Sequence, residues 1–288
     1  MIIGTLSFEI QGEGSHKCMT LQAAERRDII AHVAEAYHPY LLLCAGFSLG
    51  KGCGEGPIGE PDNAELNVLV NDPRIFNGTT TLIVEVKNEP EAMALLNGLS
   101  AHRIYLVGCH GHVRSLGRQA IKQGNDWRSG QDRKQNDHIA HFEDLISEKS
   151  ALIGKHQLFT LCCGEINALK AHPIKDNGQR GHEIEFCCPG AEKALGSASI
   201  IVNPTHDWMR DTYGTLSAKR RRLSRPDSGL TRIYVSASNW NSMANQQPHY
   251  ETLHSVYLSG QKCHPVRCHP AAKERKERYE YRECEVPV

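Results

Sequence analysis

Short apolar runs recur along this chain, and each stops abruptly at a small or polar residue. They are 2-IIGTLSFEI-10, 40-YLLLCAGFSL-49, 79-TTTLIVEV-86, 103-RIYLVGC-109, 158-LFTLCC-163, 198-ASIIVNP-204, 231-TRIYVSASN-239 and 252-TLHSVYLSG-260. None approaches the roughly 20 apolar residues that a membrane-spanning helix needs. Runs of this length read as strands, and the continuous run 40–49 as one buried on both faces of a sheet. Helical patterns lie between them. In 20-TLQAAERRDIIAHVAEAY-37, Leu21, Ala24, Ile29, Ile30, Val33 and Ala34 fall near one face. Shorter helices are expected over 64–70, 89–100, 139–149, 190–196 and 209–223. Residues 171–190 read as an irregular insertion. Strands and helices interleaved in one order predict an α/β protein with helices packed outside its sheets.

Composition narrows the partners. The chain has 288 residues, with 33 Lys+Arg against 33 Asp+Glu. A balanced chain has no global field to draw it to nucleic acid or to a membrane. The N-terminus lacks a cationic stretch followed by a long apolar core, so no secretory signal is expected. Eleven cysteines, an odd number with no compact scaffold spacing, fit a reduced, cytoplasmic protein. No repeat or linker divides the sequence. Residues 1–262 are expected to form one domain, and 263–288 a charged tail containing Cys and His. That tail reads as a solvated arm, with a partner-contacting helix as the alternative.

In α/β folds, chemistry gathers where strands end in loops. Four such ends carry polar or reactive residues: Cys44-Ala45-Gly46, Cys109-His110-Gly111-His112, Cys162-Cys163-Gly164-Glu165 and Asn203-Pro204-Thr205-His206. A cysteine is a useful nucleophile only as a thiolate, which needs a cation or base beside it. The bland reading of Cys163 is a small apolar residue at a buried strand end. Side chains alternate along a strand, so Cys162 faces away from Cys163 and reads as packing. His110 and His112 have the spacing of two metal ligands, and Cys263-His264 with Cys268-His269 is a loose candidate for zinc. Neither has a complete ligand pattern, so no metal or cofactor is expected. The basic run Lys219–Arg222 reads as a solvated helix face or a subunit contact. The loop 50-GKGCGEG-56 lacks the Lys-Ser/Thr ending of a phosphate-binding loop.

The order and spacing of these strand ends resemble the carbon–nitrogen hydrolase (nitrilase) superfamily over most of residues 1–260. Cys163-Gly164-Glu165 resembles the family's nucleophile motif. The segment 198-ASIIVNPTHDWM-209 resembles its next strand and proline-containing turn. The segment 219-KRRRLSRPDSGLTRIYVSASNWN-241 resembles a helix-to-strand stretch that ends at the family's strand-end asparagine, here Asn239. The resemblance implies a four-layer αββα sandwich, a homodimer or larger homo-oligomer, and a small amide-like substrate. It implies a catalytic set of Glu, Lys and Cys, filled here by Cys163 as nucleophile and Lys122 for the oxyanion, with Lys134 as runner-up. Glu165 is a candidate acid. Gly46, Gly164, Asn203, His206 and Asn239 would line the substrate pocket. The family's glutamate falls on Ala45 or Gly46, neither of which is a base. The nearest acids in sequence are Glu55 and Glu60. The expectation is therefore a hydrolase of a non-peptide C–N bond, an amide before a nitrile, acting through an acyl-enzyme. The alternative is a catalytically impaired relative that binds a small molecule or a protein.

Overall fold

The computed structural model describes residues 1–12, 18–50, 64–87, 102–120, 140–176, 179–186, 189–209, 211, 214–225, 231–243, 253–269 and 277–287. Along the chain run β1 (Ile2–Gln11), β2 (Cys18–Met19), α1 (Ala23–Tyr37), β3 (Leu41–Cys44), α2 (Ala64–Asn71), α3 (Pro73–Phe76), β4 (Thr81–Lys87), β5 (His102–Val107) and β6 (Val113–Arg118). They continue with β7 (Ser150–Ile153), β8 (His156–Thr160), a 3₁₀ turn at Cys163–Ala168, β9 (Leu169–Asp176), β10 (Gln179–Phe186), α4 (Pro189–Ser197), β11 (Ile200–Thr205), α5 (Thr215–Leu223), β12 (Ile233–Ser238) and β13 (Trp240–Asn241). Last come β14 (His254–Leu258), β15 (Gln261–Cys263), β16 (Arg267–His269) and β17 (Tyr279–Glu285).

Two sheets hold most of the described strands. One has the order β16-β17-β1-β3-β4-β5-β6, and the other β15-β14-β12-β11-β8-β7. Within them β1, β3 and β4 are parallel, as are β8, β11 and β12. The sheets pack face to face. Ile3, Leu41, Leu43 and Ile83 from the first meet Leu158, Ile200, Val202, Ile233 and Val235 from the second. Alternation along each strand sends the intervening residues outward. Leu42, Leu82 and Val84 pack against Ile30 and Val33 of α1 and Leu66 and Leu69 of α2. Phe159, Ile201 and Tyr234 pack against Leu195 of α4 and Leu216 of α5. Both sheets are therefore covered on both faces, by each other and by an outer helix layer, which is the αββα arrangement expected. This explains why the strands read as continuous apolar runs.

Three expectations fail. Residues 171–190 are not irregular: β9 and β10 form an antiparallel two-stranded ribbon. Pro173 lies within it, and a ribbon with free edges accommodates a residue that cannot donate a ladder bond. The charged tail is not a solvated arm either, since β17 pairs with β1 from Ile2↔Glu285 to Phe8↔Tyr279. Its charges are buried in matched positions. Arg282 Nε donates to Glu280 Oε1 at 2.6 Å, and Tyr281 Oη donates to Glu283 Oε2 at 3.0 Å. Residues two apart share a strand face, so an alternating run of charges can satisfy itself. Finally, Cys18 is disulfide-bonded, which departs from a fully reduced chain, while Cys44, Cys109, Cys162, Cys163, Cys263, Cys268 and Cys284 are free. The helix expected at 89–100 lies outside the described residues. Among those described, no helix is long and apolar enough to cross a membrane.

Candidate active site

The C-terminal ends of the parallel strands from both sheets converge. β3 runs into Ala45 and Gly46, β4 carries Glu85 near its end, β8 leads to Cys163, and β11 leads to His206. The Cys163 backbone is left-handed, with φ 30°. Non-glycine residues in this region cluster at functional sites, where surrounding structure enforces them. Cys163 is half-buried, and its side chain is within hydrogen-bonding reach of the His206 imidazole.

His206 Nε2 sits 2.6 Å from Glu85 Oε1. Glu85 comes from β4, a strand buried on both faces at this point. A carboxylate there must be paired or hydrogen-bonded. Its second oxygen, Oε2, accepts the Phe47 N–H at 3.1 Å. Burial opposes the Glu85 charge, yet His206, the neighbouring His102 and the Phe47 amide together hold its carboxyl below the usual range. Burial likewise opposes a charged His206. Glu85 and the Cys163 sulfur overcome it and push the imidazole well above an ordinary histidine. The result is a carboxylate–imidazole pair beside the Cys163 sulfur.

Gly46 makes room for this pair. A Cβ on Gly46 would collide with His206 Cδ2 and would lie 2.9 Å from Glu85 Oε2. The position where the family resemblance places a glutamate is thus filled in space by a carboxylate and an imidazole from two other strands. Two asparagines tie the strand ends together. Asn239 Nδ2 donates to Gly46 O at 2.6 Å and to His206 O at 3.2 Å, while its Oδ1 accepts the Phe8 N–H at 2.9 Å. Asn203 Nδ2 donates to Leu161 O at 2.7 Å and Cys163 O at 3.3 Å, and its Oδ1 accepts from Tyr234 Oη at 3.0 Å.

One residue back, a second cluster is sealed. Lys149 Nζ donates to Arg118 O at 2.8 Å and Cys162 Sγ at 3.4 Å, and pairs with Glu165 Oε2 at 2.9 Å. The Lys149 and Glu165 side chains are both 0% exposed. Burial disfavours the Lys149 charge, but Cys162 and Glu165 reverse that and raise its value. Burial, aided by Glu165, pushes the Cys162 thiol well above the ordinary range, so Cys162 stays protonated and unreactive near neutral pH.

No family model and no curated protein matches the sequence. Solved structures do match its fold. XC1258 from Xanthomonas campestris, a CN-hydrolase superfamily protein with an arsenic adduct in its active site, superposes with TM-score 0.54 over 99% of this chain and 91% of its own, at 9% identity. The chain has the carbon–nitrogen hydrolase fold. A carbon–nitrogen hydrolase from Helicobacter pylori G27 is 11% identical over 98% of this chain and 88% of its own, with TM-score 0.49. Nit3 of Saccharomyces cerevisiae, from branch 10 of the nitrilase superfamily, is 8% identical over 98% and 89%, also at 0.49.

Within this carbon–nitrogen hydrolase fold the sequence-predicted residues divide into three groups. Cys163, His206 and Gly46 come together at the strand ends. Asn203, Asn239 and the buried Gly164 shape the loops around them, with both asparagine amides spent on protein partners. Glu165 accepts the Cys162 N–H at 2.7 Å and the Ala120 N–H at 2.7 Å besides Lys149, so it is placed to brace the cysteine turn. Lys122 and Lys134, with Glu55 and Glu60, lie outside the described residues. Cys109–Gly111 forms a short 3₁₀ turn. Among the described residues no three His, Cys, Asp or Glu side chains gather as a metal site.

Glu85 and Lys149 are the residues of these two clusters that sequence reasoning missed. Glu85 had a signal, as the one charge within 82-LIVEV-86. Lys149, in 147-SEKS-150, had none, because it reads as an ordinary helix-end lysine.

Proposed function

We propose that the chain is a hydrolase of a non-peptide amide C–N bond, with Cys163 as the nucleophile. In the first half-reaction the Cys163 thiol passes its proton to His206 and the sulfur adds to the amide carbon, forming the C–S bond of a thioester. The C–N bond breaks as His206 gives its proton to the leaving nitrogen. Water then adds to the thioester while His206 takes one of its protons. The C–S bond breaks and His206 returns that proton to the sulfur, giving a carboxylic acid and the restored thiol. Glu85 keeps the imidazole oriented and stabilises its protonated form throughout. General acid–base help of this kind is worth about 10²–10⁴-fold. Lys122 remains the proposed oxyanion donor, and assembly into homo-oligomers belongs to the same reading.

The observation that carries this reading is His206 held 2.6 Å from Glu85 while facing the Cys163 thiol. It answers the missing first-motif glutamate with a different proton-handling pair, and so favours an enzyme over an impaired relative. Incubation with a panel of small activated amides, followed by intact-mass and peptide mass spectrometry, tests the proposal. An acyl adduct on Cys163 that decays with amine release is expected. A chain that binds such amides without adduct or turnover is a binding module instead.

A further inference from the structure

Phe47 touches both members of the Glu85–His206 pair. Its N–H donates to Glu85 Oε2 at 3.1 Å. Its ring lies flat on the His206 imidazole, with centroids 3.9 Å apart and planes within 10°. The Phe47 backbone is left-handed, with φ 61°, a conformation a bulky residue keeps only when the surroundings enforce it. They do so from several sides. Gly50 N–H closes the turn onto Phe47 O at 3.1 Å, and Leu49 N–H donates to Glu85 O at 3.0 Å. Glu85 N–H donates to Ser48 Oγ at 2.8 Å. From beneath, the fully buried Arg26 donates through Nε to Ser48 O at 3.0 Å, and its other guanidinium nitrogens reach Leu21 O and Gly50 O. His102 meets the Phe47 ring edge-on, with centroids 4.9 Å apart.

We propose that Phe47 is a positioning residue of this site: its ring fixes the plane of the His206 imidazole and its N–H fixes the Glu85 carboxylate, while Arg26 holds the turn in place. The proposal rests on the reading of Cys163 as nucleophile. An aromatic face against a cationic ring favours the charged form of that ring. Among the described residues, the titratable groups around His206 are Glu85 from β4, Cys163 from the turn after β8 and His102 from β5.

The rate of iodoacetamide labelling, resolved by cysteine through peptide mapping from about pH 5 to about pH 9, tests this in the native chain, Phe47→Tyr and Phe47→Leu. The tyrosine variant keeps the native Cys163 profile. The leucine variant labels Cys163 about tenfold more slowly at mildly acidic pH, the rate equivalent of one lost cation–π contact. Exposed Cys109 is unchanged in all three. Phe47→Met repeats the non-aromatic case if the leucine variant unfolds. A native-like profile in the leucine and methionine variants overturns the proposal, as does an equal loss in the tyrosine variant. If Cys163 labels no faster than Cys109 in the native chain, the nucleophile reading itself falls, which is a separate and recognisable failure.

Discussion

Cys162 and Cys163 are joined by one peptide bond, and each has a carboxylate and a cation for company. Cys162 has Glu165 and Lys149, in a cluster with no solvent exposure at either charge. Cys163 has Glu85 and His206, with the His206 side chain 20% exposed. The two sets contain nearly the same chemistry and have different consequences. Lys149 uses its ammonium on three protein acceptors and stays charged, so it has no proton to trade near neutral pH. Imidazole can give and take a proton there. Cys162 follows a strand and lies in the core between the sheets, whereas the left-handed turn at Cys163 carries the next thiol out of that core. On the proposed reading, reactivity follows the titratable partner and the strained turn. It does not follow from the presence of Glu, Lys and Cys together, which here brace the turn.

The largest expected effect breaks the comparison at the sulfurs. Cys163→Ala is expected to lower kcat/KM on the best small amide by on the order of 10⁴-fold or more, as removal of a nucleophile does. Cys162→Ala is expected to change it by less than about tenfold, because that sulfur makes no bond in the reaction. Comparable losses in both variants would end the distinction. Next comes the proton carrier. His206→Asn is expected to cost about 10²–10⁴-fold in kcat, with folding intact by circular dichroism.

The sealed cluster responds in stability instead. Lys149→Met leaves the Glu165 carboxylate buried without its cation, which costs about 3–5 kcal/mol. Urea unfolding measures that loss, and a Lys149→Met, Glu165→Gln double variant recovers part of it. A Lys149→Met chain as stable as the native one would show that the cluster braces nothing.

A smaller effect is the pH dependence of stability. The raised His206 value gives a contribution that is complete below the unfolded histidine value of about 6.5 and is lost as pH rises through the folded value. The lowered Glu85 value gives one that is present above the unfolded glutamate value of about 4.3 and is lost as pH falls through the folded value. The pair stabilises most between these limits. Glu85→Gln should flatten the decline on the neutral side, as read by thermal unfolding at a series of pH values. Lys149, whose value is raised further above neutrality, should give no such slope there.

Much of the architecture was legible because both sheets are covered on both faces, so their strands stand out as unbroken apolar runs. The β9–β10 ribbon was not legible, since a two-stranded edge has little core to leave a pattern and includes Pro173. β17 was hidden because its charges satisfy one another along a strand, and sequence alone reads a charge run as solvated. At the site, Cys163 and His206 could be read from their places at strand ends. The missing glutamate at Gly46 was visible as an absence. The carboxylate proposed to replace it was not, because Glu85 lies on a different strand and only the fold brings it to His206.

The most direct test of the central claim is the order in which the thiols react. Substoichiometric iodoacetamide at mildly acidic pH, followed by peptide mapping, should mark Cys163 before the more exposed Cys109 and Cys268 and should leave Cys162 unmarked in the folded chain. Labelling that follows exposure alone, with Cys109 and Cys268 first, or that reaches Cys162 ahead of Cys163, would contradict the account.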